Sequence, residues 1–375
     1  MAKVLITGGA GFIGSHTADK LIKLGYGVKI LDNLQKPVHL KGKPDYLNPK
    51  AEFILGDVRD KNVLLYALKD VSYIFHFAVY QGGLPDFSTF YDVNAVSTAL
   101  IYELIVAHKL PIKKLIVASS QFVQGEGLYQ DKLGNIIKPY QRSLQQLEKG
   151  EWDWTDKNGD PLQWLWTSEQ HANPPNAYAI SKYSQELTAL AHGKRYGIPS
   201  VVLRYSIVQG SRQSIYNAYS GVCRIFNLHY YFGRAPTIYE DGLQKRDFID
   251  IRDVVSANIL ALENAAMDND VFCVGSGTAY TIKEFDRMVA KAHHKETIEP
   301  KIPGVFRMGD TRNACSDISK IRALGWTPQY KAEDSIVDYM KYLHDAGNID
   351  DILGQTRKVL KNLHVIRKVK SEINQ

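Results

Sequence analysis

The chain has 375 residues, of which 45% are hydrophobic and 23% charged, an ordinary globular composition with length for two domains of ~150 residues or one large domain with an appended lobe. No unbroken apolar run approaches the ~20 residues that cross a bilayer, and Lys3 leads into a glycine-rich turn without a signal-peptide pattern, so the sequence argues against a membrane span and predicts a cytoplasmic protein. The net charge of +6 does not indicate nucleic acid, because residues 355–375 carry six basic residues against Glu372 and leave the rest nearly neutral; such an end predicts a solvated terminal helix or a disordered tail.

A first strand at Lys3-Val4-Leu5-Ile6 runs into Thr7-Gly8-Gly9-Ala10-Gly11-Phe12-Ile13-Gly14, which opens an amphipathic helix bearing Thr17, Ala18, Leu21, Ile22 and Leu24. A second strand, Val28 to Leu31, ends at Asp32. One glycine makes the tight turn, one lets the backbone approach a pyrophosphate, and Gly14 lets the helix pack closely on the strand. The helix N-terminus offers free N–H groups to phosphate. Asp32 is placed to accept from the adenosine ribose hydroxyls and to repel a 2′-phosphate, which predicts NAD in place of NADP.

Pro37, Pro44 and Pro49 mark a loop. Strands then follow at Glu52–Leu55, Tyr73–Phe77, Leu115–Ala118, Val201–Leu203 and Val271–Val274, alternating with helices near 60–69, 93–108 and 177–196. Short apolar strands separated by helices predict an α/β fold, a Rossmann-type doubly wound parallel sheet with ligands at the strands' carboxyl ends. Between 126 and 175 the texture changes: Trp152, Trp154, Trp164 and Trp166 accompany turn signals at Leu133-Gly134-Asn135 and Asn158-Gly159, which reads as a hairpin-bearing insertion. Cys223, Cys273 and Cys315 fit neither a metal spacing nor a disulfide framework.

Tyr178 and Lys182 stand four apart at the start of a predicted helix and so share one face. Proton abstraction at pH 7 by a phenol of pKa ~10 needs a shift of ~3 units, about 4 kcal/mol. A lysine ammonium one turn away and a nicotinamide cation both favour the phenolate. Ser119 and Ser120 close a strand where a hydroxyl can hold the same substrate oxygen.

With these elements, residues 3–330 resemble the extended short-chain dehydrogenase/reductases of the nucleotide-sugar epimerase/dehydratase group. The resemblance also rests on Gly56-Asp57-Val58, His76-Phe77-Ala78-Val79, Asn94, Arg204-Tyr205, the run from Lys245 to Val254, and Arg307-Met308-Gly309-Asp310. It implies Ser120, Tyr178 and Lys182 as the catalytic set. It implies cofactor contacts from Gly8, Gly11, Phe12, Ile13, Gly14, Asp32, Asn33, Phe77, Ala78, Val79, Asn94 and Tyr205, with Asp57 and Val58 at the adenine and Lys182 also on the nicotinamide ribose. Substrate contacts would come from Gln81, Ser120, Gln121, Asn217, Arg246 and Arg307, the two arginines on the diphosphate.

The family's 4,6-dehydratases carry an Asp-Glu pair after the catalytic hydroxyl, and this chain has Gln121-Phe122. That leaves oxidation at C4 and return of hydride. The start of the insertion, the run Gln213 to Val222 and Tyr239-Glu240-Asp241-Gly242 resemble the dTDP-L-rhamnose 4-epimerase branch, in whose members the insertion tends to carry cysteine pairs, absent here. Two segments depart from the common pattern: Val123-Gln124-Gly125 where many relatives have Val-Tyr-Gly, and Tyr205-Ser206-Ile207 where Tyr-Phe-Asn is usual, so Asn217 is the candidate replacement contact for that asparagine.

The expected protein is an NAD-dependent nucleotide-sugar 4-epimerase. The alternatives are a 4-keto reductase or dehydrogenase, a dehydratase, or a non-catalytic NAD sensor on the same fold. The expected organisation is a NAD-binding domain over 1–205 plus 247–275, a nucleotide-sugar lobe over 206–246 plus 276–350, and a basic tail over 351–375. A homodimer through the helices at 93–108 and 177–196 is implied by the resemblance, with no metal and no nucleic-acid partner.

Overall fold

The computed structural model describes residues 2–82, 85–217, 221–354 and 366–370. One sheet of seven strands runs in the order Asp270–Val274, Ser200–Tyr205, Lys114–Ser120, Tyr73–His76, Lys3–Thr7, Gly27–Asp32, Glu52–Leu55, and every neighbouring pair is parallel. Strands buried on both faces need apolar residues at successive positions, as in Leu115, Ile116 and Val117, all fully buried. Helices Phe12–Lys23 and Ile251–Glu263 contribute to the core on one face; Lys61–Leu68, Ser97–Ala107 and Ala177–Tyr196 contribute to the other. The chain builds outward from Lys3–Thr7 to Glu52–Leu55, then returns to lay Tyr73–His76 on the first strand's other side. The crevice at that reversal is bordered by the carboxyl-terminal ends carrying Thr7, Asp32, His76 and Ser120.

The helix expected over 93–108 starts earlier and irregularly. Phe87–Phe90 leads into a wide-turned segment, Tyr91–Val96, before regular helix over Ser97–Ala107. The stretch Phe87–Ala107 is long and apolar enough to cross a membrane by length and composition. Here it is a core helix: Ile101, Leu104 and Ile105 are buried, and the Tyr102 hydroxyl donates to the Ala189 carbonyl at 3.0 Å.

A second unit joins strands Ile207–Gln209, Lys245–Asp250, Ala279–Thr281 and Asn313–Ala314. Its own core is formed by Phe226, Phe285, Ile336 and Tyr339 from helices Gly221–Tyr231, Ile282–Ala292 and Ala332–Asp345. The hairpin read from Leu133-Gly134-Asn135 joins Leu128–Gln130 to Ile136–Ile137, and Gln163–Leu165 completes a three-stranded antiparallel sheet.

The described residues 366–370 of the tail depart from the expected solvated helix or disordered end. Ile366–Lys368 pairs antiparallel with Val305–Arg307, which satisfies backbone groups that a lone strand would leave to water. Arg357, Lys358 and Lys361 lie outside the described residues.

Candidate active site

The glycine turn is shaped for close approach. Gly8 has φ +68, and a Cβ there would lie 2.7 Å from the Ala78 nitrogen; one at Gly14 would lie 2.5 Å from the Gly8 carbonyl oxygen. Gly11 caps the helix without a side chain, and no acidic residue occupies the first turn, so the N–H groups behind Phe12 and Ile13 keep their pull on an anion. Asp32 accepts from Ala10 N–H at 3.0 Å and Leu34 N–H at 2.9 Å, one on each oxygen, leaving lone pairs for two ribose hydroxyls. His39 is 3.9 Å away, and burial lowers its pKa, so the ring is neutral at pH 7 and leaves the Asp32 charge in force. Asn33 donates to Asp57 at 2.9 Å; the Arg59 guanidinium, two bonds deep, holds the Asp57 carboxyl at about 2.

Beneath the turn, His76 lies between Thr7 and Ser97. The Ser97 hydroxyl donates to the Val93 carbonyl and so accepts from His76 Nε2, while Thr7 accepts from Ala78 N–H and donates to Nδ1. Burial first, then the Lys182 charge, takes this ring down to about 3, and it stays neutral.

Asn176 caps helix Ala177–Tyr196 by accepting from Ala179 N–H at 2.9 Å, which places Tyr178 in the first turn, facing the crevice. Ser120, at the end of its strand, faces the phenol; its hydrogen bond lowers the Tyr178 pKa, but burial is larger and raises it. Lys182 is 2% exposed, its ammonium bonded to Gln185. Burial pulls it to about 7 against the opposing pull of Glu186. Glu186 is held by Arg204 at 2.8 and 2.7 Å and accepts from Ser119. Of the two serines, therefore, Ser119 is committed inward and Ser120 faces the cavity.

One cavity of ≈ 1700 Å³ joins these groups to the second unit, larger than the ~300–1,000 Å³ of a site for one drug-sized ligand. It is bordered by Gly8, Gly11, Phe12, Ile13, Gly14, Asp32, Asn33, Asp57, Val58, Phe77, Ala78, Val79, Gln81, Ser120, Gln121, Tyr178, Lys182, Tyr205, Asn217, Arg246 and Arg307, and so unites the expected residues save one. Asn94 stands behind the wall, accepting from Tyr80 N–H at 2.9 Å and donating to Ser181 at 2.9 Å, a brace between the loop after His76 and the tyrosine helix. The buried Gln121 amide has no hydrogen-bond partner within the described protein, beside Ser120. Gln124, in place of the usual tyrosine, donates to the Thr167 and Ser168 carbonyls and accepts from Ser316, so that departure serves packing.

The two arginines differ. Arg246 makes four hydrogen bonds to Asp310 and to the carbonyls of Lys245, Thr311 and Arg312, whereas Arg307 has a buried Nε without a protein partner. Behind them is a cluster that sequence reasoning did not find. Arg142 of the insertion forks onto Glu240 at 2.9 and 2.8 Å and reaches the Asp310 carbonyl; Arg312 bonds Glu240, Asp241 and Asp153. Arg142, Glu240 and Arg312 side chains are 1–3% exposed. The partners are 98 and 72 residues apart, and no local pattern announces such pairs.

The NAD dependent epimerase/dehydratase family matches residues 4–275. The chain belongs to this family. The family is NAD-dependent, and the glycine turn and the crevice beside it have a shape that such a cofactor fits. Among relatives of this epimerase/dehydratase family member, a dTDP-L-rhamnose 4-epimerase of Burkholderia thailandensis is 32% identical over 348 residues, 91% of this chain and 94% of that one. A putative UDP-glucose 4-epimerase of Methanocaldococcus jannaschii is 33% identical over 358 residues, 90% of this chain and 98% of that one. Among solved structures, UDP-glucose 4-epimerase of Thermotoga maritima with UDP-glucose superposes with a TM-score of 0.76 at 29% identity, covering 92% of this chain and 100% of that one.

Proposed function

We propose that this chain is a nucleotide-sugar 4-epimerase acting on dTDP-L-rhamnose, with Tyr178 as both acid and base. The observation that carries the reading is that Ser120, Tyr178 and Lys182 border one cavity together with the glycine turn and Arg307. Among the described residues the carboxylates bordering the cavity are Asp32 and Asp57 at the ribose and adenine end and Asp310 beside Arg246. Beside Ser120 stand an amide and the Phe122 ring, 6.3 Å from the Tyr178 ring. Elimination of water across two carbons calls for a further acid and base there; reversible oxidation at C4 does not.

Arg307, with Arg246 behind it, holds the diphosphate. Tyr178 as phenolate takes the C4 hydroxyl proton, Ser120 donates to the same oxygen, and Lys182 in its protonated form places positive charge one turn from the phenolate. Bound NAD supplies the acceptor and then the donor of the C4 hydride. The 4-keto sugar turns between the two transfers, hydride returns to the opposite face, and Tyr178 gives the proton back. No net oxidation results.

Incubation with dTDP-L-rhamnose, and in parallel with UDP-glucose, without added NAD, tests this by proton NMR. The expected result is the 4-epimer from dTDP-L-rhamnose. Epimer from UDP-glucose alone overturns the substrate; neither epimer nor 4-keto sugar from either overturns the reaction. Product formed only in proportion to added NAD makes the chain a dehydrogenase or reductase.

A further inference from the structure

We propose that the C-terminal strand Ile366–Lys368 is a binding element of the nucleotide-sugar site, walling its diphosphate end and fixing the strand that carries Arg307. The inference rests on the nucleotide-sugar reading above.

Val305–Arg307 is three residues long, too short to hold itself. Its register with the C-terminal strand sets Arg307 opposite Ile366 and Val305 opposite Lys368. The pairing continues as Val369 N–H donates to the Gly304 carbonyl at 2.9 Å. Lys370 N–H then donates to the Glu148 carbonyl at 2.9 Å, and its ammonium lies 2.6 Å from the Glu148 carboxylate. Glu148 belongs to the insertion, so the C-terminal strand is seated between the insertion and the substrate unit. Strand Val305–Arg307 has two further contacts: Glu240 N–H donates to the Val305 carbonyl at 2.7 Å, and the Trp152 and Phe306 rings lie 6.0 Å apart.

Ile366 also borders the cavity directly, with Ile352, Leu353 and Gly354. Arg307, whose buried Nε has no protein hydrogen-bond partner, is therefore aimed by a ladder whose second strand comes from the chain's far end. The exposed Lys370 pair adds little by itself; the backbone ladder and the Ile366 wall do the positioning. None of these bonds reaches the glycine cradle or Asp32, so loss of the strand falls on the nucleotide sugar and spares NAD.

Two variants test this: a chain ending at Gly354 and the full chain with Ile366→Glu. Titration calorimetry with UDP and with dTDP as probes, NAD content of the purified protein and thermal melting are the readouts. Each variant is expected to bind the nucleoside diphosphate that the parent binds about tenfold more weakly or worse, with NAD content unchanged. Affinity within twofold of the parent in a folded variant overturns the inference, as does NAD and nucleotide lost together in Ile366→Glu. Should the shortened chain not fold, Ile366→Glu decides alone. A parent that binds neither probe overturns the nucleotide-sugar reading itself, a result distinct from equal binding by parent and variant.

Discussion

Burial pushes Tyr178 and Lys182 in opposite directions, the phenol up and the ammonium down to about 7, and both shifts favour the neutral forms. The sequence suggests a lysine that drives the phenolate; the structure adds that desolvation opposes ionisation of the Tyr178 phenol. If Tyr178 is the acid and base, Tyr178→Phe lowers kcat by about 10²–10⁴-fold, with NAD content and nucleoside diphosphate affinity kept; unchanged turnover in a steady-state assay removes Tyr178 from the chemistry. His76 gives a pH dependence of stability. Its ring titrates at about 3 when folded, against ~6.5 when unfolded. Between those values the unfolded chain binds more protons, so stability falls as pH drops from 6.5 toward 3. From pH 6.5 to 5 this group alone costs about 1.6 kcal/mol, read as a lower urea midpoint. A midpoint that does not move over that interval contradicts the buried neutral ring.

At the scale of elements, the glycine turn is a local device and was readable because all its parts lie within fourteen residues. Gly14→Ala would drive a methyl group into the Gly8 carbonyl at 2.5 Å, and the protein should purify without NAD, as release and absorbance of the cofactor would report. Tyr178 and Lys182 were readable for the same reason, one helical turn apart. The insertion was readable as a hairpin but not as a brace, because Arg142 finds Glu240 across 98 residues and neither residue carries a motif. Arg246 was assigned to diphosphate by its match to the family's pattern, yet its bonds to three backbone carbonyls could not be foreseen from side-chain types. The strand Ile366–Lys368 was not foreseen because composition registers charge and not strand pairing. Arg142→Met tests the brace. Removing one partner of a buried pair costs about 3–5 kcal/mol, and the low end, about 3 kcal/mol, is expected here because Arg312 still bonds Glu240 at 3.1 Å. Urea unfolding measures it, and a loss below about 1 kcal/mol would mean that the insertion is not held by this pair.

At the scale of the molecule, the helix that carries Tyr178 and Lys182 also carries an apolar outer side. Ile180 and Leu187, 38% and 51% exposed, are seven residues apart and so share a face, while Tyr178 and Lys182 point inward. Val96 and Val106 are exposed on the neighbouring helical segment, 54% and 39%. Asn94 and Tyr102 bond these two helices side by side, to Ser181 and Ala189. Two such pairs from two copies make a four-helix contact, and a two-fold arrangement lets the same side chains meet themselves. We therefore expect light scattering to give twice the 42.3 kDa chain mass, and Leu187→Glu to shift it toward the single chain. Because the opposite side of this helix holds Tyr178 and Lys182, loss of the contact frees the helix to move relative to Ser120. In the monomeric variant kcat should fall more than KM rises, with NAD retained; a parent that is already monomeric at micromolar concentration would leave the apolar side without this role.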